Sequence, residues 1–185
     1  MDKNKLLKLA YLFFAFGIGV LGYILVHETG HLIVMLSAGA QIDDFSILTA
    51  HVSSHGGNYT EASEMWMNAN GAFLPMVISI VLMLFYDRSR TNSFYRIFYF
   101  VLTLIPTCSL LAWVIIPFVY LQGKAPIGDD VTKFLEIWSR RHPPLFVSAA
   151  ALIFIAAALF ISIKKGVIRG YIEEIKALKK GVVKE

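Results

Sequence analysis

The sequence predicts an all-α polytopic membrane protein with about four transmembrane helices and a short interfacial β-hairpin or loop between the first two. Apolar residues make up 57% of the 185 residues, more than soluble domains usually carry. Four apolar runs approach or exceed the ~20 residues that a membrane-spanning helix needs. The chain has one cysteine, which excludes an intrachain disulfide and a cysteine zinc site. Residues 1–185 are expected to form a single membrane domain.

The elements follow in order along the chain. The first run begins after three lysines but lacks a small-residue cleavage site, so it is predicted to be a retained helix rather than a signal peptide. The stretch after it, QIDDFSILTAHVSS, is rich in Ile, Val, Thr and Phe and is followed by turn residues, which predicts a hairpin. Strand edges cannot face lipid, so this hairpin should lie at the membrane surface. The four spans are predicted at about residues 6–36, 67–86, 94–121 and 144–164.

Two shorter segments complete the predicted architecture. After the third span, Val131, Phe134, Leu135 and Trp138 have the spacing of one helix face. The tail, residues 165–185, is basic and roughly amphipathic, as expected of a juxtamembrane helix at the lipid surface.

Basic residues are unevenly distributed. Thirteen of the seventeen Lys and Arg residues lie before the first span, between the second and third, or after the fourth. The positive-inside rule therefore predicts a multi-pass integral membrane protein with cytosolic N- and C-termini. The tail would then meet the anionic lipid of the inner face. Nucleic-acid binding is not needed to explain these charges.

The first span contains HETGH, residues 27–31. Residues i and i+4 lie on one face of a helix, so His27 and His31 can offer two imidazole nitrogens to one zinc ion. Glu28 can reach a water molecule at that ion, as in the H-E-x-x-H motif. Placing an ionisable group inside a membrane span costs about 2.5–3.5 kcal/mol of free energy, which favours a functional role for these three residues. The alternative is that these residues lie at a solvent-exposed end of the helix, where their side chains reach toward water.

A zinc site needs a third protein ligand, and the lack of cysteines leaves His, Asp or Glu. Asp129 and Asp130 attract attention because they begin a predicted helix directly after an apolar span. An acidic helix start, stabilised by the helix dipole, is the alternative explanation for one of them. The full set of candidates is His51, His55, Glu61, Glu64, Asp129 and Asp130.

Three motifs in this order resemble those of the site-2 protease family of intramembrane zinc metalloproteases. HETGH matches the first helix, NANGAFLP (residues 68–75) is similar to the glycine-containing second-helix motif, and IIPFVYLQGKAPIGDDV (115–131) to the third. The similarity covers roughly residues 10–140. It implies one zinc per chain on His27, His31 and Asp130, with Asp129 as the alternative third ligand, and Glu28 as the catalytic residue.

The chain departs from the family pattern in three ways. Val114 stands where the family usually has an asparagine, three residues before Pro117, and Val131 stands where a glycine usually follows the metal aspartate. The charge distribution also puts the active site on the side opposite to the family's usual one.

Asn68 and Asn70 are predicted near the start of the second span. They would either cap that helix at the interface or donate amide hydrogens to a substrate strand or a tetrahedral oxyanion.

The expected function is that of an integral-membrane zinc endopeptidase. Glu28 would take a proton from water and return it to the leaving amine, and the resemblance implies a protein substrate that is itself a transmembrane helix. A non-proteolytic zinc-binding membrane protein of the same fold, acting as a partner or assembly factor, is the alternative. A metal transporter ranks last, because polar residues are scarce in the other spans.

Overall fold

A computed structural model describes residues 3–180 of the chain, so the last five residues of the predicted basic tail lie outside the described residues. The described part contains six helices and one two-stranded sheet. In chain order they are α1 (Lys3–Ser37), β1 (Ala40–Ser46), β2 (His51–Gly56), α2 (Glu61–Leu84), α3 (Ser93–Leu121), α4 (Asp130–Trp138), α5 (Leu145–Lys165) and α6 (Val167–Lys180).

Four of the helices, α1, α2, α3 and α5, are long and apolar enough to cross a membrane, which confirms the predicted helical class. Their outer surfaces carry large apolar side chains, such as Phe13 and Ile153, which are 73% and 69% exposed. A contiguous apolar surface of this kind suits contact with lipid rather than water.

The second helix begins at Glu61, six residues before its predicted start. Thr60 caps it: its hydroxyl accepts a hydrogen bond from the Ser63 amide, and the Ser63 hydroxyl accepts one from the Thr60 amide. Glu61 and Glu64 in the first turn complement the helix dipole. These polar starting signals extend the helix beyond its apolar part, which a hydropathy criterion misses.

The predicted hairpin between the first two spans is confirmed. β1 and β2 pair antiparallel, from Ala40 opposite Gly56 to Ser46 opposite His51. The ladder slips between Ile42 and Asp44, where a bulge occurs. The hairpin follows α1 directly and so lies at the C-terminal end of that helix.

Helix α4 has the apolar face that the sequence predicts. Val131 and Leu135 are buried in a cluster with Ile116 of α3 and Val147 of α5. Burial of these two side chains fixes the short helix against α3 and α5.

Helix α6 is docked on the bundle by a buried carboxylate. Glu174 accepts bonds at 2.7 Å from both Lys8 of α1 and Ser93 of α3, and it lies 3.4 Å from Arg96 of α3. Burial opposes the ionisation of Glu174, but the bonds from Lys8 and Ser93 outweigh it and hold its pKa below the ordinary value. The ionised form of Glu174 therefore joins α1, α3 and α6.

Replacing Glu174 with Ala should destabilise the protein by about 3 kcal/mol, because it leaves the half-buried ammonium group of Lys8 without its partner. Thermal unfolding in detergent measures the loss. The neighbouring Glu173→Ala is the matched control: Glu173 is 45% exposed, and exposed ion pairs contribute at most about 1 kcal/mol.

Because folding lowers the pKa of Glu174, the contribution of Glu174 to stability is present above the ordinary pKa of 4.5. It is lost as the pH falls through the lower folded value. Equal melting temperatures for the two variants at neutral pH would contradict this role.

Candidate metal centre

The two histidines of HETGH lie on one face of α1. The Nε2 atoms of His27 and His31 are 3.1 Å apart, as the four-residue spacing predicts. His31 is buried and His27 is half-buried. Both imidazoles turn the same nitrogen toward a common point beside the helix.

Asp130 reaches the same point from α4. Its Oδ2 atom lies 3.2 Å from the Nε2 of His27 and 3.2 Å from the Nε2 of His31. Asp129, the alternative ligand, points elsewhere: its Oδ1 accepts a hydrogen bond from the Val131 amide at 2.9 Å and caps α4. The structure thus brings Asp130, and not Asp129, to the histidines.

The outer nitrogens of both imidazoles have partners of their own. The Nδ1–H of His31 donates to the carbonyl oxygen of Met67 in α2, at 2.8 Å. The hydroxyl of Tyr23 lies 3.4 Å from the Nδ1 of His27, one turn earlier on α1. Partners at Nδ1 fix the ring orientation and, for His31, the tautomer that leaves Nε2 with a free lone pair.

Helices α1 and α2 approach each other very closely at the site. A Cβ added to Gly30 would lie 2.3 Å from the carbonyl oxygen of Asn70, and one added to Gly71 would lie 2.5 Å from the Nε2 of His31. The side-chain amide of Asn70 donates to the Gly30 carbonyl at 2.7 Å and ties the helices together. Glycine at 30 and 71 is therefore needed for the backbone of α2 to lie against the histidines.

The helix-capping interpretation of Asn68 and Asn70 is wrong. The helix begins at Glu61, so both asparagines lie two turns inside α2, and both are buried. Asn68 donates to the carbonyl of Glu64 at 2.9 Å within the same helix. A carboxamide nitrogen carries two hydrogens, so donation to a substrate by Asn68 or Asn70 stays a prediction.

The other ligand candidates do not join the group. His51 lies exposed on β2, and His55 of the same strand pairs with Asp43 of β1. Glu61 bonds two arginines that follow α4, and Glu64 belongs to the first turn of α2. Among the described residues, the cluster with ligand atoms close enough to share one ion is His27, His31 and Asp130.

Glu28 is buried beside the two histidines in sequence. The residue is only 5% exposed. Within residues 3–180, its carboxylate forms no hydrogen bond and no ion pair. Glu28 directly follows His27 on α1 and is therefore available for a role beside the cluster.

The electrostatics of Asp130 favour its ionised form. Burial alone would raise the pKa of this carboxyl, but its close contacts with the imidazoles of His27 and His31 outweigh burial and hold the pKa well below its usual range. An ionised aspartate is the form that ligates a cation.

The chemistry and spacing of these donors fit zinc. Two imidazole nitrogens and one carboxylate oxygen form a known catalytic donor set, which leaves a fourth position open. At a metal–ligand distance of about 2.0 Å, neighbouring ligands of a tetrahedral ion are roughly 3.3 Å apart, and the three donor atoms here are 3.1–3.2 Å apart. The glycine at position 71 leaves the space beside both imidazoles without a side chain.

Two supporting residues were not predicted from the sequence. Tyr23 precedes His27 by four residues, so helical spacing alone could have indicated it. The Met67 carbonyl had no such signal, because a backbone acceptor is independent of the side chain that it carries.

Metal content tests the assignment of the third ligand. Purified protein should hold about one zinc ion per chain, and Asp130→Ala should lose most of it, as His27→Ala should, because each removes a ligand. Asp129→Ala is the matched control and should keep the metal, at the cost of about 1 kcal/mol of cap stability. Elemental analysis after dialysis gives the stoichiometry. Retention of zinc by Asp130→Ala with loss in Asp129→Ala would reverse the assignment.

Comparison with known proteins adds no family assignment. No family model, characterised protein or solved structure matches this chain. The resemblance to the site-2 protease family therefore rests on the three motifs, of which HETGH supplies two histidines to the cluster and the third supplies Asp130.

Proposed function

We propose that this chain is an integral-membrane zinc metalloprotease that cleaves peptide bonds of membrane-embedded protein substrates, like the site-2 proteases that it resembles. One observation carries the proposal: the Nε2 atoms of an H-E-x-x-H pair meet the carboxylate of Asp130, which comes from a distant part of the chain, within 3.2 Å. Local composition can produce two histidines on one helix face, but it does not bring an aspartate of another helix to them.

Each residue of the centre has a chemical task in this proposal. Zinc held by His27, His31 and Asp130 would supply a Lewis acid that polarises a peptide carbonyl and acidifies water. Glu28 accepts the proton of the attacking water and returns it to the leaving amine. Tyr23, at the Nδ1 of His27, holds that imidazole in the orientation that this geometry needs.

The apolar surroundings support a substrate from the membrane. An apolar cavity of about 490 Å³ lies among α2, α3, α4 and α5, with Trp66, Phe73 and Trp138 among its walls. Phe134, which also lines it, follows Asp130 by one turn of α4. A volume of this order is typical of ligand sites, for which about 300–1,000 Å³ is usual. An apolar substrate segment thus finds a matching surface on the helix that delivers the aspartate.

The charges of the bundle support cytosolic termini. Lys8 of α1 and Arg96 of α3 meet α6 at one end, where most of the basic residues of the chain lie. His27 follows Lys8 by 19 residues on a continuous helix, or about 28 Å, close to the ~30 Å of a hydrocarbon core. By the positive-inside rule the basic end is cytosolic, and the metal centre and the hairpin lie toward the opposite face.

Cysteine labelling tests this orientation. In a Cys108→Ala background, Leu48→Cys in the hairpin turn, where Leu48 is 91% exposed, should react in intact cells with a maleimide that does not cross membranes. Ser89→Cys, in the loop between α2 and α3 at the basic end, is the matched control and should react only after the cells are opened. The reverse pattern would overturn the proposed sidedness.

A non-proteolytic zinc-binding protein is the second candidate, and Val114 favours it. At this position the site-2 protease pattern has an asparagine near the substrate. Here the side chain is apolar, and the Val114 carbonyl accepts a hydrogen bond from Ser148 of α5 at 2.8 Å. The position therefore serves the packing of α3 on α5 and offers no amide to a substrate.

Glu28→Gln separates the two candidates. The variant keeps the shape of the side chain and all three metal ligands but cannot accept a proton, so cleavage of a membrane-helix reporter should fall by about 10²–10⁴-fold. Zinc content and melting temperature should stay at the level of the parent. Glu64→Gln, outside the ligand cluster, is the matched control and should cleave normally. If Glu28→Gln cleaves the reporter as fast as the parent, proteolysis by this centre is ruled out.

A further inference from the structure

A polar cavity lies at the opposite end of the bundle from the histidines. It has a volume of about 220 Å³ and is lined by Tyr86 and Arg88 after α2, Arg96 of α3, and Arg169 and Glu173 of α6. We call it the basic cavity. None of its residues belongs to the candidate metal centre.

Positive charge exceeds negative charge in the basic cavity. Three guanidinium groups and a single carboxylate line it. That carboxylate, Glu173, bonds Arg169 at 2.9 Å and Arg96 at 3.1 Å. Glu174 lies nearby, 3.4 Å from Arg96, but it also neutralises Lys8 at 2.7 Å. Arg88 forms no ion pair with any residue of the described part of the chain. The cavity thus holds unmatched guanidinium charge suited to an anion.

Two glycines let the backbone approach the side chains of the basic cavity closely. A Cβ added to Gly166 would lie 2.9 Å from the Nε of Arg88, and Gly166 has a φ of +82°, which disfavours other residues. A Cβ added to Gly170 would lie 2.4 Å from the hydroxyl oxygen of Tyr86. The backbone at Gly166, just before α6, and at Gly170, in α6, therefore lies directly against Arg88 and Tyr86.

An apolar groove adjoins the basic cavity and shares two residues with it. This groove, of about 420 Å³, lies between the end of α5 and α6, and it shares Arg169 and Glu173 with the cavity. Its apolar wall consists of Ile163, Ile168 and Ile172. A charged pocket continuous with an exposed apolar groove at the end of spanning helices has the two-part character of a phospholipid.

We propose that the basic cavity binds the phosphate group of an anionic membrane lipid, with an acyl chain along Ile163, Ile168 and Ile172. Guanidinium groups offer paired N–H donors that match phosphate oxygens, and the Tyr86 hydroxyl can donate a further bond. Anionic lipid is concentrated at the cytosolic face, where the basic end of this protein would lie.

The test uses the protein of residues 1–185 purified in an uncharged detergent, with phosphatidic acid and phosphatidylcholine as probes and native mass spectrometry as the readout. The parent should retain phosphatidic acid in preference to phosphatidylcholine. Arg88→Ala combined with Arg169→Ala should weaken phosphatidic acid binding about 30-fold, since each basic residue near the lipid surface contributes about 1 kcal/mol.

Two further variants exclude trivial explanations. Arg90→Ala removes a nearby exposed arginine that pairs with Asp87 outside the cavity, and it should leave binding unchanged. Glu173→Gln removes the carboxylate of the cavity and should tighten phosphatidic acid binding roughly fivefold, a gain that misfolding cannot produce. Equal losses in Arg90→Ala and in the double variant would indicate diffuse surface charge and overturn the proposal, as would no gain in Glu173→Gln.

Inorganic phosphate identifies the source of the ligand. If the headgroup and the acyl chain both contribute, millimolar phosphate should compete only weakly with phosphatidic acid. Binding of inorganic phosphate at the arginines without selective retention of phosphatidic acid would overturn the lipid assignment in favour of a soluble phosphate compound. Absence of binding by both probes would overturn the site altogether.

Discussion

The close crossing of α1 and α2 determines the surroundings of the two histidines of the candidate metal centre. Gly30 and Gly71 allow two backbones to approach to a distance at which any Cβ would overlap neighbouring atoms. Asn70 joins the helices at this point through the Gly30 carbonyl, with a bond of 2.7 Å in a buried position. Such a bond is strong where water cannot compete. The crossing also brings the Met67 carbonyl to the Nδ1 of His31, so a contact between backbones sets the orientation of an imidazole.

The two adjacent aspartates illustrate how one short helix serves both stability and chemistry. Asp129 is the N-cap residue, with an extended backbone, and Asp130 is the first helical residue of α4, so their side chains take different directions. Asp129 caps α4, while burial of Val131 and Leu135 holds the helix against α3 and α5. Because the start of the helix is fixed in this way, Asp130 is held toward the histidines by a rigid helix rather than by a loop.

The parts of this molecule that local patterns determine were predictable from the sequence. Spans, hairpin and the apolar face of α4 follow from hydropathy, residue type and spacing, and HETGH needs only the helical period. The predicted start of α2 is about six residues too late, because the capping signals at Thr60 and Ser63 are polar and hydropathy ignores them. The choice of Asp130 over Asp129 could be stated only as a preference, because it depends on how α4 packs against two other helices.

The length of α1 explains why three titratable groups can occupy an apolar helix. Lys8 contacts Glu174 at the basic end, and His27 lies about 28 Å further along the axis, which in a spanning helix would be near the far boundary of the hydrocarbon core. Ionisable groups cost much less near that boundary than at its centre, and Asp130 offsets part of the remaining cost by pairing with both histidines. Helix α1 thus spans the distance between two polar regions, one at α6 and one at α4. Its apolar middle keeps the arginines of one end away from the donor atoms of the other, where a nearby cation would compete with a metal for the same carboxylate.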